Sequence, residues 1–111
     1  MKFKITTFAF CTLLTPFAHA DGFTEADQER CDMISSTAEK IMQGRQSGVA
    51  MSKHIEAVND AYPEGQRALW HELVSMAHER PRFSSPEYRR EAVTDFGNTV
   101  YQECYKTLTK E

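Results

Sequence analysis

Four stretches of the chain carry apolar residues at intervals of three and four, the repeat that lines up side chains along one face of a helix. In the first, from Thr24 to about Gln46, the apolar positions are Cys31, Ile34, Ala38, Ile41 and Met42. Thr24 suits the N-cap, Glu25 and Asp27 meet the positive end of the helix dipole, and Gly48 supplies the stop. A shorter helix is expected from Ser52, acting as cap, to about Ala61, with Ile55 and Val58 facing inward. Tyr62-Pro63 ends it, because the residue before a proline is pushed out of the helical region.

The third helix is expected from Pro63 or Glu64 to Glu79. Leu69, Trp70, Leu73, Val74 and Ala77 share one side, with Arg67, Glu72 and Glu79 elsewhere, an amphipathic arrangement. Pro81 closes it. Ser85-Pro86-Glu87 then opens a fourth helix, since proline is welcome at the first helical position. This helix runs to about Leu108 with a stripe of Tyr88, Ala92, Val93, Phe96, Val100, Cys104 and Leu108. No segment after residue 20 alternates with the period of two that a strand requires. The expected fold is an all-α bundle of about four helices, the first and last long and antiparallel, with two shorter ones between them.

Residues 1–20 break this pattern. Lys2 and Lys4 precede an apolar run from Ile5 to Leu14 that Thr6, Thr7 and Thr12 interrupt, Pro16 then breaks the helix, and the segment closes on Ala18-His19-Ala20. This is the layout of a cleavable signal peptide, cut before Asp21. The run of about ten apolar residues falls short of the roughly 18 that a membrane anchor needs. Cys11 follows Phe10 in mid-run, which is unlike a lipoprotein site. Residues 21–111 then form a single domain, periplasmic or secreted, with no membrane anchor after cleavage.

Loss of the leader changes the charge and the cysteine count. Of 13 basic residues 11 remain, against 16 acidic ones, so the net charge moves from −3 to about −5. Nucleic-acid binding rests on Lys and Arg displacing counterions from phosphates, and this balance argues against it. Cys31 and Cys104 remain, and in an oxidising compartment they are expected to form one disulfide. It closes a loop of about 74 residues, worth about 4 kcal/mol in the chain-entropy treatment. Neither cysteine belongs to a C-x-x-C or has a histidine within four residues, so a redox pair and a metal site both lack support.

A bridge between a cysteine early in the first helix and one late in the last requires the two helices to run antiparallel. With Cys31 opposite Cys104, Ile34 falls near Val100 and Tyr101, Ala38 near Gly97, and Met42 near Val93. Gly97 either permits a close approach of backbones at Ala38 or merely loosens its helix, at about 1 kcal/mol relative to alanine.

Catalytic patterns fail on inspection. His71-Glu72 begins the zinc pattern H-E-x-x-H, but Ser75 stands where the second ligand, after Val74, would fall. His71 and His78 are two turns apart, about 10 Å along a helix axis. Asp95-Phe96-Gly97 lacks the rest of a kinase. No nucleophile elbow or haem-attachment motif is present. No catalytic residue, metal or cofactor is assigned.

The remaining combination is Ile41-Met42-Gln43-Gly44-Arg45-Gln46-Ser47-Gly48 with Arg80-Pro81-Arg82-Phe83 and a late Cys104-Tyr105. With Cys31 and Ala38, this pattern resembles an uncharacterised family of small exported helical proteins of proteobacteria and their phages. The resemblance covers most of residues 21–111 and implies export and a helical fold, with no activity. Antiparallel helices bring Arg45 toward Arg82 and Arg90, with Glu87 and Glu91 as expected counter-ions. Arg45, Gln46, Arg80, Arg82 and Phe83 are therefore either a tie between helix ends or a site for a small anion or acidic peptide. The expected function is a non-catalytic protein-interaction module using exposed aromatics such as Phe83, Tyr101 or Tyr105. The alternative is an acid- or stress-responsive chaperone-like protein, opened by protonation of its carboxylates.

Overall fold

The computed structural model describes residues 22–110, all of whose regular structure is helical. The leader expected over residues 1–20 lies outside the described residues. Helix α1 spans Glu25–Gln46, α2 Met51–Ala61, α3 Arg67–His78 and α4 Pro86–Thr109. Cys31 and Cys104 form the disulfide, with Cα atoms 5.7 Å apart. It joins α1 to α4, which run antiparallel and share the largest interface. Helix α3 packs on α1 and α2 on α3, while α3 and α4 scarcely approach each other. Among the described residues no helix is long and apolar enough to cross a membrane.

The helix starts show two ways of meeting orphaned backbone N–H groups. Thr24 accepts from the Asp27 N–H at 3.1 Å while the Asp27 carboxylate accepts from the Thr24 N–H at 3.1 Å, a reciprocal capping box. Ser85 likewise accepts from the Tyr88 N–H, ahead of Pro86. Helix α2 departs from expectation: it starts at Met51 with Ala50 at the N-cap and no capping side chain, and Ser52 lies in its first turn. The cause is the preceding turn. Gly48, at φ +97°, donates to the Arg45 carbonyl, and Val49 donates to that of Gly44. This Schellman arrangement reverses the chain so tightly that Ala50 already accepts from Lys53 and His54.

The third helix also differs from the expected single run. Glu64–Gln66 forms a 3-10 turn, and the α-helix begins at Arg67. Gly65 within the first turn disfavours a regular α-helix there. Arg67 then ties α3 back to α2, donating to the Tyr62 carbonyl at 2.8 Å and the Asn59 carbonyl at 3.0 Å. Tyr62 stacks on Trp70 with ring centroids 5.0 Å apart.

The core joins Ala38, Ile41 and Met42 of α1, Val58 of α2, Trp70, Leu73, Val74 and Ala77 of α3, and Phe96 and Val100 of α4. Two members of the expected stripes point outward, Leu69 and Tyr88. Both lie at the edge of their apolar arc, outside the part of it that faces a neighbouring helix, which leaves them exposed. Gly97 is buried, and a Cβ there would stand 2.5 Å from the Glu39 carboxylate and 2.6 Å from Glu39 Cγ. The missing side chain thus accommodates Glu39, one residue along from Ala38.

Candidate functional site

Three segments meet at the end of the bundle opposite the disulfide: the C-terminus of α1, the loop after α3 and the N-terminus of α4. Arg45, Gln46, Arg80, Arg82 and Phe83 all lie here. Gln46 is the hub, a buried polar side chain at 2 % exposure. Its amide nitrogen donates to the Pro81 carbonyl at 2.9 Å, and its amide oxygen accepts from the Phe83 N–H at 2.8 Å. Proline has no N–H to donate, so this loop uses the Pro81 carbonyl and a later N–H to bind one side chain.

The arginines bond to carbonyls. Arg45 donates through Nε and Nη2 to the Arg80 carbonyl, at 3.2 and 2.9 Å. Arg82 Nε donates to the Gln46 carbonyl at 3.1 Å, and Arg89 Nε to that of Phe83 at 2.6 Å. The Arg80 guanidinium sits 5.0 Å from the ring centroid of Phe96, capping the buried ring. The expected ion pairs with Glu87 and Glu91 are absent among the described residues, where the single ion pair is Lys53–Glu56. The reason is that α1 and α3 both end here, so unpaired carbonyls are close at hand and need no long side chain to be ordered.

Five guanidiniums, of Arg45, Arg80, Arg82, Arg89 and Arg90, therefore gather at one pole with no ion-pair partner among the described residues. The C-terminal dipoles of α1 and α3 amount to about half a negative charge each, and the N-terminus of α4 to about half a positive one; Glu79, Glu87 and Glu91 lie on the same segments without pairing directly with the arginines. A shallow cleft of about 280 Å³ opens between α1 and α4, lined by Gln43, Gln46, Ser47, Arg89, Arg90, Val93 and Thr94. Beside it stand Phe83, half-buried, and Tyr88, 56 % exposed, with ring centroids 6.0 Å apart. Arg89 and Tyr88 were not among the expected site residues. The signal was the run Tyr88-Arg89-Arg90 directly after a helix start. The other expected aromatics, Tyr101 and Tyr105, lie at the opposite pole against Phe23, at 6.4 and 4.9 Å.

Two further features were not read from the sequence. An open, mainly apolar groove of about 580 Å³ separates α3 from α4 near the disulfide, lined by Ile34, Leu69, Leu73, Met76, Val100 and Leu108 together with Arg30, Glu72 and Glu103. His78 pairs with His54 of α2, not with His71. His54 Nδ1 and His78 Nε2 are 2.7 Å apart, and His71 is hydrogen-bonded to Asn59. Burial lowers the pKa of His54. Burial, His54 and Arg45, in that order, lower that of His78.

The fold and its poles define a small disulfide-closed helical domain with an arginine-rich end. Scans against protein-family models, curated proteins and solved structures find no match for the chain.

Proposed function

We propose that this chain is an exported interaction module that receives an acidic segment of a protein partner at its arginine pole. The leader pattern of residues 1–20 supports export to the periplasm or medium, and the disulfide fits an oxidising compartment. The observation that carries the reading is the set of five arginines without carboxylate partners among the described residues, in a chain of net negative charge. Free surface charges normally intersperse by sign. Arg45, Arg82 and Arg89, held by backbone carbonyls beside a buried glutamine, are positioned before any partner arrives, so little ordering of these side chains remains to oppose binding.

Phe83 and Tyr88 favour a protein over a small anion. Arginine beside exposed aromatics is the composition of interface hot spots, and the aromatic pair would cover apolar parts of the segment that the carboxylates flank. Attraction between exposed charges fades with salt, since the screening length is about 8 Å at physiological ionic strength.

The test is binding of a fluorescent peptide of alternating Glu, Asp and aromatic residues to the oxidised protein, followed by anisotropy at low and physiological salt. Arg90→Glu reverses the charge of an exposed residue that makes no hydrogen bond to the rest of the described chain through its side chain, and Tyr88→Ala removes the exposed ring. Both are expected to weaken binding while leaving the thermal melt unchanged. Binding that survives both changes, or that is absent at low salt, refutes the proposal.

A further inference from the structure

We propose that His54 and His78 form a site for a borderline divalent metal ion such as Zn2+, clasping α2 to α3. The pairing is tertiary: His54 is in the first turns of α2, His78 is the last residue of α3, and 24 positions separate them. Their rings meet nearly edge to face, with centroids 5.0 Å apart at 69°. Two imidazole nitrogens at 2.7 Å already lie close to a shared coordination sphere. With Zn–N bonds of about 2.0–2.1 Å, two tetrahedral ligands stand about 3.3 Å apart. A separation of about half an ångström and a turn of one ring convert the hydrogen bond into a chelate.

The surroundings keep both nitrogens available. Burial makes both histidines hold their protons less tightly than usual, the direction that favours the neutral rings metal ligation requires. Each neutral ring retains one N–H. In the apo pair one proton lies between the rings. On binding, both protons occupy the outer nitrogens, His54 Nε2 and His78 Nδ1, and the ion takes the lone pairs of His54 Nδ1 and His78 Nε2. No net proton is released. Gly44 of α1 makes room for His54: a Cβ at this position would stand 2.5 Å from His54 Nε2. The ring is thereby wedged between α1 and the partner histidine.

Among the described residues no third His, Cys or carboxylate joins the pair, so water fills the remaining positions. The positive charge of Arg45, felt at His78, opposes a cation. Both facts set the site on the weak and exchangeable side. It stands on different residues from the arginine pole, and its failure leaves that reading intact.

Zn2+ titrated into the oxidised, chelator-stripped full chain, followed by calorimetry and by the histidine ring signals in NMR, tests the site. The expected result is one ion per chain, with ring signals of His54 and His78 shifting and those of His71 unmoved. His54→Ala and His78→Ala each weaken binding by more than about tenfold, since even supporting residues of metal sites contribute that much, and His71→Ala leaves it unchanged. No saturable binding, or saturation that moves His71 instead, overturns the proposal. The ring signals of the unaltered protein decide the matter even if a variant fails to fold.

Discussion

Gln46→Ala is the substitution that most directly tests how the arginine pole is held. The side chain is buried at 2 % exposure and satisfies two backbone groups of the loop, the Pro81 carbonyl at 2.9 Å and the Phe83 N–H at 2.8 Å. Alanine leaves both without a partner. Pro81 is exposed, so its carbonyl is rehydrated at small cost. Phe83 is half-buried, and an N–H that loses its acceptor there costs about 1–3 kcal/mol. Adding about 1 kcal/mol for the second bond, the expected loss is about 2–4 kcal/mol. For a domain of this size each kcal/mol lowers Tm by about 4–8 °C, so the melt should fall by about 8–32 °C. Far-ultraviolet circular dichroism of the oxidised protein measures it. Gln46→Leu is the essential companion, because it restores volume without the polar groups. If burial of apolar surface governed this position, leucine would match or exceed the wild type; if the hydrogen bonds govern it, leucine falls almost as far as alanine. Losses below about 0.5 kcal/mol for both, the size of an ordinary surface change, would refute the account.

Three other outcomes follow from the same structure. Replacing Cys31 and Cys104 by serine should lower stability by about 2–5 kcal/mol, enough to leave much of the chain unfolded at about 37 °C, as read by urea titration. Gly48→Ala forces a side chain into positive φ, with its Cβ 2.9 Å from the Arg82 guanidinium; a cost of about 1–2 kcal/mol is expected in the same titration, and Gly48→Asn should cost less, because asparagine tolerates the left-handed region better than alanine. Because folding lowers the pKa of His54 and His78, the unfolded chain takes up protons first as the pH falls below about 6.5. Their contribution to stability is complete above that value and is lost as the pH drops through the folded values. Tm measured with a chelator present should therefore decline on acidification, and a His54→Asn variant should show a shallower decline.

The helices were legible because their signals are local. Thr24 and Asp27, or Ser85 and Pro86, carry their caps within four residues of chain, and the spacing of Ile34, Ala38, Ile41 and Met42 states which face is buried. The disulfide was legible from only two cysteines and the expectation of export, and it fixed the antiparallel register of α1 and α4. Where expectation failed, the deciding contact was elsewhere. Ser52 has the right chemistry for a cap, but the Schellman turn at Gly48 and the two bonds to the Ala50 carbonyl had already started the helix. Leu69 and Tyr88 fit their stripes and are exposed, since a stripe shows which residues can be buried and the placement of the packed neighbours determines which are.

The arginine pole shows the same division at the level of chemistry. That Arg45, Gln46, Arg80, Arg82 and Phe83 come together follows from the register alone. Their partners do not, because a sequence lists carboxylates such as Glu87 and Glu91 but not the carbonyls that two converging helix ends expose. Charge pairing at this end would have neutralised the arginines and left a strut. Bonding to the carbonyls of Gln46, Arg80 and Phe83 instead holds the side chains in place while leaving their charge uncompensated, since a carbonyl offers only part of a charge. Rigidity and uncompensated charge then coexist at one surface, and the proposed docking role rests on that combination.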